Sequence, residues 1–304
     1  MLPSVAIVIP TFNRAHILPQ AIEAALGQSH PDTTVFVIDD GSTDDTGDVI
    51  SSFADHPRFV GVRLAQNVGT AQAKNVGIWL SGADAVTFHD SDDLPHRDKV
   101  LRQARVIGNE TICADPCLNW RLSGREPGTV VQVGAVFTHH ELILPDGQRT
   151  EIRRSLSLVD DFFPNLQMAS HVPGDWTHVN SGLFHRSVFD RLGGFSDCIE
   201  EDREFRNRLI MAGEALWVIP DLLLTKIETP DSLTQQGDTD YDSPRRQADR
   251  RRVWAAVERW FETRQVDPVP ISLTGVRLLS CTNAGLCAPG SLEALLGACA
   301  EEAA

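Results

Sequence analysis

Several features that define common protein classes are missing from this 304-residue sequence. No apolar run reaches the roughly 18 residues needed to span a bilayer. The N-terminal region lacks the basic segment and apolar stretch of a signal peptide. Acidic residues number 42 against 27 basic ones, giving a formal net charge of −15. This balance disfavours a nucleic-acid backbone as the main partner. We therefore expect a cytoplasmic protein that does not bind nucleic acid.

Metal-binding cysteine pairs and glycine-rich phosphate loops are also missing. Cys113 and Cys117 lie four residues apart, but no second Cys or His pair stands at a zinc-binding spacing. The six cysteines are therefore expected to be reduced thiols. The sequence has no Gly-x-Gly-x-x-Gly after the first predicted strand and no Gly-x-x-x-x-Gly-Lys-Ser/Thr. Dinucleotide-binding and P-loop proteins are disfavoured, and a bound diphosphate would have to be held by a metal ion instead.

The first ninety residues alternate between predicted buried strands and predicted helices. Continuous apolar, β-branched runs predict strands at residues 5–9, 35–38, 59–64 and 85–88. Apolar residues at helical spacing follow each of the first three strands, and Asn13 is the predicted N-cap of the first helix. This order is typical of a parallel α/β sheet, in which ligands bind beyond the carboxyl ends of the strands.

Three carboxylates lie within four positions after the fourth strand, at Asp90, Asp92 and Asp93. In an extended chain Asp90 and Asp92 project from one face, and their like charges favour protonation unless a cation lies between them. Mg²⁺ or Mn²⁺ suits that position, because both prefer oxygen ligands and keep sites for phosphate oxygens. The alternative is a solvated acidic turn in which Asp93 caps a helix that begins at Leu94 and Pro95.

Four segments together resemble the successive motifs of family 2 glycosyltransferases, in their order and spacing. They are Val-Ile-Pro-Thr-Phe-Asn-Arg at 8–14, Asp-Asp-Gly-Ser-Thr-Asp at 39–44, Asn-Val-Gly at 67–69 and Asp-Ser-Asp-Asp at 90–93. Members of that family are inverting enzymes that use nucleotide-diphosphate sugars. The resemblance implies an α/β fold of the GT-A type, a nucleotide-binding sandwich with a mostly parallel central sheet, followed by a C-terminal helical extension.

The resemblance also implies roles for parts of the chain. Residues 1–110 would form the nucleotide-sugar-binding half, residues 111–235 the acceptor-binding and catalytic half, and residues 236–304 a loop and helical extension. The residues implied to bind the nucleotide sugar are Pro10, Thr11, Phe12, Asp39, Lys74, Asp90, Ser91 and Asp93. Asp90 and Asp92 are implied to hold Mn²⁺ or Mg²⁺. Lys74 stands where the family usually has Arg, so it keeps the charge without the bidentate fork.

A second acidic group, Glu200 to Asp202, opens an amphipathic helix after a Gly-Gly-Phe turn and resembles the family's Glu-Asp element. An acceptor hydroxyl must lose a proton as it attacks the anomeric carbon, and a carboxylate within hydrogen-bond reach can take that proton. The resemblance implies Asp202 as this base, with Glu201 beside it at the acceptor site. The alternative is that these residues only favour a helix N-terminus. Trp176 is predicted to stack on an acceptor sugar.

Three parts of the second half leave the interpretation open. Glu228 or Thr229 stands where the family often has a histidine near the metal ion, so a third protein ligand stays undecided. Residues 245–264 predict a basic helix that either docks on the domain or offers a surface to a partner or to anionic lipid. Residues 265–304 are weakly periodic and have no predicted function.

Residues and resemblance together predict a metal-dependent inverting glycosyltransferase of polysaccharide biosynthesis. It would move a sugar from a UDP-linked or other nucleoside-diphosphate donor to a hydroxyl of a saccharide or lipid-linked saccharide. A lipid-linked acceptor implies peripheral association with a membrane. One alternative, a non-catalytic sugar- or nucleotide-binding protein, would lack Asp92 or Asp202, and both are present. The other, a sugar nucleotidyltransferase, normally carries a glycine-rich basic loop that residues 10–14 lack.

Overall fold

In the computed structural model, strands from both halves of the chain form one central sheet. The structure describes residues 1–112, 126, 128–153, 179–228, 239–240 and 242–301. Within these residues the strands, β1 to β11 in chain order, are Val5–Thr11, Thr33–Asp39, Phe59–Leu64, Ala85–Phe88, Asp93–Pro95, Glu110–Ile112, Val130–Ile143, Arg149–Ile152, Leu183–His185, Ala215–Ile227 and Leu278–Cys281. The α-helices, α1 to α8, are Leu18–Leu26, Thr46–Ser52, Thr70–Leu80, Lys99–Ala104, Arg186–Leu192, Glu201–Met211, Pro244–Thr263 and Ser291–Glu301.

The four strands predicted from the first ninety residues are confirmed. They pair in parallel in the order β3-β2-β1-β4, and every residue of β1 is buried. Alternate β1 residues pack on opposite faces: Ala6 and Val8 contact the α3 side, whereas Val5, Ile7 and Ile9 contact the α1 side. Both faces of the strand are covered by helices, which explains why its sequence is apolar without alternation.

Asn13 does not cap the first helix, contrary to the sequence prediction. α1 begins at Leu18 and has no side-chain cap. Asn13 instead adopts a left-handed backbone conformation with φ 52°, which asparagine tolerates better than most residues. Its side-chain oxygen accepts a hydrogen bond from the backbone N–H of Thr43 at 2.8 Å, and its own N–H donates to Ser42 Oγ at 2.8 Å. Asn13 therefore joins the loops that follow β1 and β2.

The second half of the chain extends the same sheet. β9 pairs antiparallel with β4 on one side and with β7 on the other. The long strands β7 and β10 pair in parallel, and β10 also carries the short strand β5 on its far edge. Nine strands follow the order β11-β3-β2-β1-β4-β9-β7-β10-β5, and β6 and β8 each pair with β7 outside this path. The end of β4 and the end of β10 are thus both brought to the region around β5.

The C-terminal residues dock on this sheet. The basic helix α7 packs Val257 and Trp260 against Ile210 and Met211 of α6, so docking is the alternative that the structure favours. The predicted helical extension also contains a strand, because β11 pairs antiparallel with β3. No residue of β11 is fully buried, which explains why the segment shows little hydrophobic periodicity. No helix among the described residues is both long and apolar enough to cross a membrane.

Candidate active site

A tight turn brings the three carboxylates after β4 together. The backbone N–H of Asp93 donates to Asp90 O at 3.1 Å, and the N–H of Asp90 donates to Asp93 Oδ2 at 3.1 Å. One carboxylate oxygen from each of Asp90, Asp92 and Asp93 lies within 4.8 Å of the other two. The extended geometry predicted for this segment is therefore wrong. Because the chain turns, the cluster gains Asp93 as a third carboxylate.

Asp93 is not a helix cap, so the alternative predicted for it is also wrong. It begins β5 and pairs with Lys226 of β10, and its side chain is fully buried. Oδ2 accepts a hydrogen bond from the Asn180 amide at 3.1 Å, and Oδ1 lies 3.3 Å from Lys226 Nζ. The next helix begins only at Lys99, after Asp98. Pairing with a strand about 130 residues away, which the local pattern cannot reveal, determines the position of Asp93.

The electrostatics of this cluster fit a divalent cation. Burial, reinforced by neighbouring carboxylates and opposed by Lys226, raises the pKa of Asp93 to about 7. Burial and the charge of Asp90 raise the pKa of Asp92. Burial alone would also raise the pKa of Asp90, but the ammonium groups of Lys226 and Lys74 outweigh it and lower that pKa. The nearby ammonium groups do not fully offset the charge of the three carboxylates. Mg²⁺ and Mn²⁺ prefer such oxygen ligands and would supply the missing positive charge.

Lys74 joins this cluster to the second acidic group. Its side chain is 1% exposed and donates to Asp202 Oδ1 at 2.6 Å and to Glu201 Oε1 at 3.1 Å. Its ammonium also lies 4.9 Å from the centre of the Phe195 ring. Burial lowers the pKa of Lys74, but the charges of Asp202, Glu201 and Asp90 raise it by more, so the lysine is held protonated. Lys74 therefore faces the predicted base rather than open solvent.

Glu201 and Asp202 differ in their surroundings. Glu201 is 12% exposed, and burial, opposed by Lys74 and reinforced by Asp202, raises its pKa to about 7. Asp202 keeps 36% of its side chain exposed while Oδ1 is held by Lys74. Of the two carboxylates, Asp202 is the one that a hydroxyl arriving from solvent can approach.

An aromatic cluster fixes the helix that carries Asp202 relative to the strand that precedes Asp90. Phe88 at the end of β4 contacts Phe195 of the Gly-Gly-Phe turn, with ring centres 5.0 Å apart. Phe195 contacts Phe205 of α6 at 4.6 Å, and Phe205 stacks on Phe189 of α5 at 5.6 Å. Edge-to-face and stacked rings pack with defined geometry. The aromatic core thus holds β4, which precedes the first acidic group, against α6, which carries the second.

The residues predicted to bind the nucleoside lie at the ends of β1 and β2. Thr11 is opposite Asp39 in the parallel ladder. Asp39 is fully buried, with Oδ1 accepting from the Ser42 N–H and Oδ2 from Arg63 Nε, both at 2.9 Å. Phe12 is 40% exposed beside it and offers an aromatic face. Asp39 thus shapes the loop after β2, and each of its oxygens keeps a second lone pair with which it can accept a further hydrogen bond.

Asp40 closes the neighbouring loop and is expected to make stability depend on pH. It accepts hydrogen bonds from the N–H groups of Val68 at 2.7 Å and Gly69 at 2.9 Å. Burial nevertheless raises the pKa of Asp40 from 3.8 to about 6. The folded protein therefore binds this proton more tightly than the unfolded chain does. The contribution of Asp40 to the free energy of unfolding should fall by up to about 3 kcal/mol as pH rises from about 4 to about 6.

The Asp40→Asn variant isolates this contribution, because its side chain does not ionise. We expect its free energy of unfolding, measured by urea denaturation at several pH values, to decrease less across that window than that of the wild type. Asp48→Asn, which changes an exposed aspartate of α2, is the control and should follow the wild type. Parallel pH profiles for Asp40→Asn and the wild type would contradict the assignment.

Most predicted site residues converge at the carboxyl ends of the strands. Ser91 is buried within the carboxylate turn, and Pro10 lies opposite Ile38 in the sheet. Trp176 lies outside the described residues. Sequence reasoning missed Lys226, although a signal existed: the sequence contains only three lysines, at 74, 99 and 226. Because lysine and arginine are not interchangeable at paired sites, these three positions were the ones to examine for a specific role.

Comparison with known proteins identifies this architecture. Residues 6–145 match the family model described as "Glycosyl transferase family 2". An uncharacterized glycosyltransferase of Haemophilus influenzae is 35% identical over 107 residues, which are 35% of this chain and 43% of that protein. The putative teichuronic acid biosynthesis glycosyltransferase TuaG of Bacillus subtilis is 32% identical over 113 residues, or 37% of this chain and 44% of TuaG. Chondroitin synthase of Escherichia coli is 36% identical over 204 residues, or 60% of this chain and 29% of that protein. The chain thus spans less than half the length of these relatives.

Solved structures share the fold at lower sequence identity. Residues 1–349 of S. aureus TarS, in complex with UDP-GlcNAc, superpose with a TM-score of 0.54 at 14% identity, covering 85% of this chain and 73% of that one. The mannosyltransferase PcManGT from Pyrobaculum calidifontis, in complex with GDP-Man and Mn²⁺, gives a TM-score of 0.53 at 20% identity, covering 100% and 76%. These superpositions agree with the predicted GT-A fold. Residues 6–145, a little under half of the chain, thus form a domain that matches glycosyltransferase family 2.

Proposed function

We propose that this protein is a metal-assisted, inverting glycosyltransferase that uses a nucleoside-diphosphate sugar. One observation carries the proposal: three carboxylates with oxygens within 4.8 Å of one another follow β4, and Lys74 ties Asp202 to the same charge cluster. A metal site for a diphosphate and a carboxylate for an acceptor hydroxyl are the two parts that such a transfer requires. Both are built from elements of one sheet and its helices.

The nucleotide sugar would lie across the carboxyl ends of β1, β2 and β4. Pro10, Thr11, Phe12 and Asp39 would bind the nucleoside, and Ser91 and Asp93 would border the sugar diphosphate. Two of the structural neighbours support this choice of ligand, since TarS was solved with UDP-GlcNAc and PcManGT with GDP-Man and Mn²⁺. We favour a UDP-linked sugar as the donor.

Asp90 and Asp92 would hold Mn²⁺ or Mg²⁺. When bound there, such an ion supplies Lewis-acid stabilisation of the charge that develops on the departing diphosphate. The protein then needs no proton donor on that side of the sugar. The remaining task of the chain is to activate the acceptor.

Asp202 is proposed as the general base. Its exposed carboxylate would accept the proton of an acceptor hydroxyl as that oxygen attacks the anomeric carbon, on the face opposite the diphosphate. Such a direct displacement inverts the anomeric configuration. Lys74 holds Oδ1 of Asp202 at 2.6 Å and so restricts the orientations that the carboxylate can take. Glu201 would line the acceptor site beside it.

The acceptor is proposed to be a saccharide or a lipid-linked saccharide in polysaccharide biosynthesis. The names of two relatives, chondroitin synthase and the teichuronic acid glycosyltransferase TuaG, support this class. A lipid-linked acceptor would bring a cytoplasmic enzyme to the membrane surface as a peripheral protein.

Thermal unfolding in the presence of nucleotides tests the donor site. UDP, GDP, ADP and CDP are each added with and without Mn²⁺, and binding is read as a rise in melting temperature. A ligand at a hundredfold excess over its dissociation constant stabilises a protein by about 2.7 kcal/mol. We expect UDP with Mn²⁺ to give the largest rise.

Two variants make this experiment specific. Asp92→Asn should lose the metal-dependent part of the rise, because one of the three carboxylates becomes neutral. Asp48→Asn, an exposed aspartate on α2, should behave like the wild type. The absence of any shift with all four nucleotides would contradict the proposed function.

A further inference from the structure

The three lysines of this chain lie in one region. Of 27 basic residues only Lys74, Lys99 and Lys226 are lysine, and the others are arginine. Lys99 is fully buried and contacts Thr87 Oγ1 at 3.1 Å and His89 Nε2 at 3.3 Å, directly before the carboxylate turn. A lysine ammonium is a compact point charge, unlike the broad planar fork of arginine. Lys74 and Lys226 are therefore small cations, each paired with carboxylates of one of the two acidic groups, whereas burial lowers the pKa of Lys99.

Lys226 is the lysine that touches the candidate metal ligands. Its Nζ lies 3.2 Å from Asp90 Oδ2 and 3.3 Å from Asp93 Oδ1. The side chain is only 17% exposed. Its backbone is fixed by the antiparallel ladder in which Lys226 pairs with Asp93 and Leu224 with Pro95. A sheet rather than a loop thus places the ammonium against two of the three carboxylates.

The Lys226 ammonium is close enough to the candidate metal ligands to affect both a divalent ion and a diphosphate bound there. A divalent ion held by Asp90 would share that carboxylate with Lys226, and the two cations would repel each other. A diphosphate arriving at the same turn would instead be attracted by the ammonium, because lysine binds phosphate oxygens as a point charge. Lys226 consequently has opposite effects on the two ligands of the site.

We propose that Lys226 is a built-in cation of the donor site. It keeps Asp90 and Asp93 in place before ligands arrive, weakens the binding of a divalent ion alone, and contributes directly to binding of the nucleoside diphosphate. The inference rests on the proposed function, because it assigns a diphosphate to this turn. It goes further by naming a positioning and phosphate-binding residue on β10 that the family motifs at residues 8–93 do not contain.

The Lys226→Gln variant tests the inference by two titrations. Glutamine can still donate a hydrogen bond to Asp93, so the variant removes the charge while keeping a polar partner. Calorimetric titration with Mn²⁺ alone should show binding about tenfold tighter than in the wild type. Titration with UDP in the presence of a chelator should show binding about tenfold weaker, as expected for the loss of a charged hydrogen bond.

Two further variants complete the test. Lys226→Arg keeps the charge and should bind UDP within about threefold of the wild type. Lys226→Met removes both charge and hydrogen bond and should reproduce the two opposite shifts, which provides a second neutral variant if one of them folds poorly. A merely structural lysine would give a different pattern, because its loss would weaken both ligands together.

The outcomes separate this inference from the proposed function. Opposite shifts in the neutral variants support the role of Lys226. Weakening of both ligands, unchanged affinities, or UDP binding to the wild type only when Mn²⁺ is present would overturn that role while leaving the proposed function intact. Absence of UDP binding to the wild type under both conditions would overturn the proposed function and this inference with it.

Discussion

Replacing Asp202 by asparagine is expected to lower kcat for sugar transfer by roughly 10²–10⁴-fold, the usual contribution of a general base. The amide cannot accept the proton of the acceptor hydroxyl, yet it has nearly the shape of the carboxylate. Nucleotide binding should persist, because Asp202 lies on α6 and the carboxylate turn lies after β4. The measurement is nucleotide release from the donor in the presence of an acceptor that the wild type uses.

The control for this variant is Asp197→Asn. Asp197 is an exposed aspartate five residues before Asp202, and its side chain should have no part in the transfer. We expect wild-type rates from it, together with a wild-type rise in melting temperature with UDP and Mn²⁺ for both variants. An Asp202→Asn protein that binds the nucleotide and retains more than about a tenth of the wild-type rate would contradict its role as the base.

Replacing Lys74 by methionine is expected to destabilise the protein by about 3 kcal/mol. Removing one partner of a buried ion pair leaves an uncompensated charge, which typically costs about 3–5 kcal/mol. We expect the lower value because Asp202, one of the two carboxylates that would lose its partner, is 36% exposed and can be hydrated. The other carboxylate, Glu201, is only 12% exposed and accounts for most of the expected loss. Urea denaturation at neutral pH measures the change in the free energy of unfolding.

A double variant identifies the cause of that loss. Lys74→Met combined with Glu201→Gln removes the more buried of the two carboxylate charges and should recover part of the stability. Arg149→Met is the control, since it breaks an ion pair with Glu141 in which the arginine is 65% exposed, and such pairs contribute about 1 kcal/mol or less. If Lys74→Met lowered the free energy of unfolding no more than this control does, the buried contacts of Lys74 with Glu201 and Asp202 would not be a major source of stability.

Local sequence patterns were sufficient to predict the first four strands and the motif residues at their ends. The parallel strands β1 to β4 are apolar and β-branched because helices cover both of their faces, and that composition is readable without a structure. The motif residues at the ends of these strands converge because carboxyl ends of parallel strands meet at one edge of the sheet.

Contacts between distant parts of the chain were not predictable in this way. Lys74 binds Asp202, 128 residues later, and Asp93 pairs with Lys226 in a strand of the second half. Asn13 does not form the predicted helix cap and instead hydrogen-bonds to the loop that follows β2. In each case a polar side chain forms an ion pair or hydrogen bond with a group that the folded sheet brings close. Such a tertiary contact outweighs the local conformational preference of the sequence.

The C-terminal segment illustrates the same limit. Residues of β11 pair with the edge of the sheet, and the Asn283 amide donates to the backbone carbonyls of Ala54 and Phe59 at 2.7 and 2.8 Å. The acceptors of these bonds are backbone carbonyls, which carry no sequence signal. Covering an edge strand protects it from pairing with other chains, so this segment has a structural role that composition could not reveal.

Binding of Mn²⁺, followed by the electron paramagnetic resonance signal of the free ion with and without UDP, tests whether the carboxylates of Asp90 and Asp92 hold a divalent ion together with a nucleoside diphosphate. We predict that UDP tightens Mn²⁺ binding at a single site and that Asp92→Asn abolishes this effect. Mn²⁺ binding that is unaffected by UDP, or that is unchanged in Asp92→Asn, would show that this cluster is not the metal and diphosphate site.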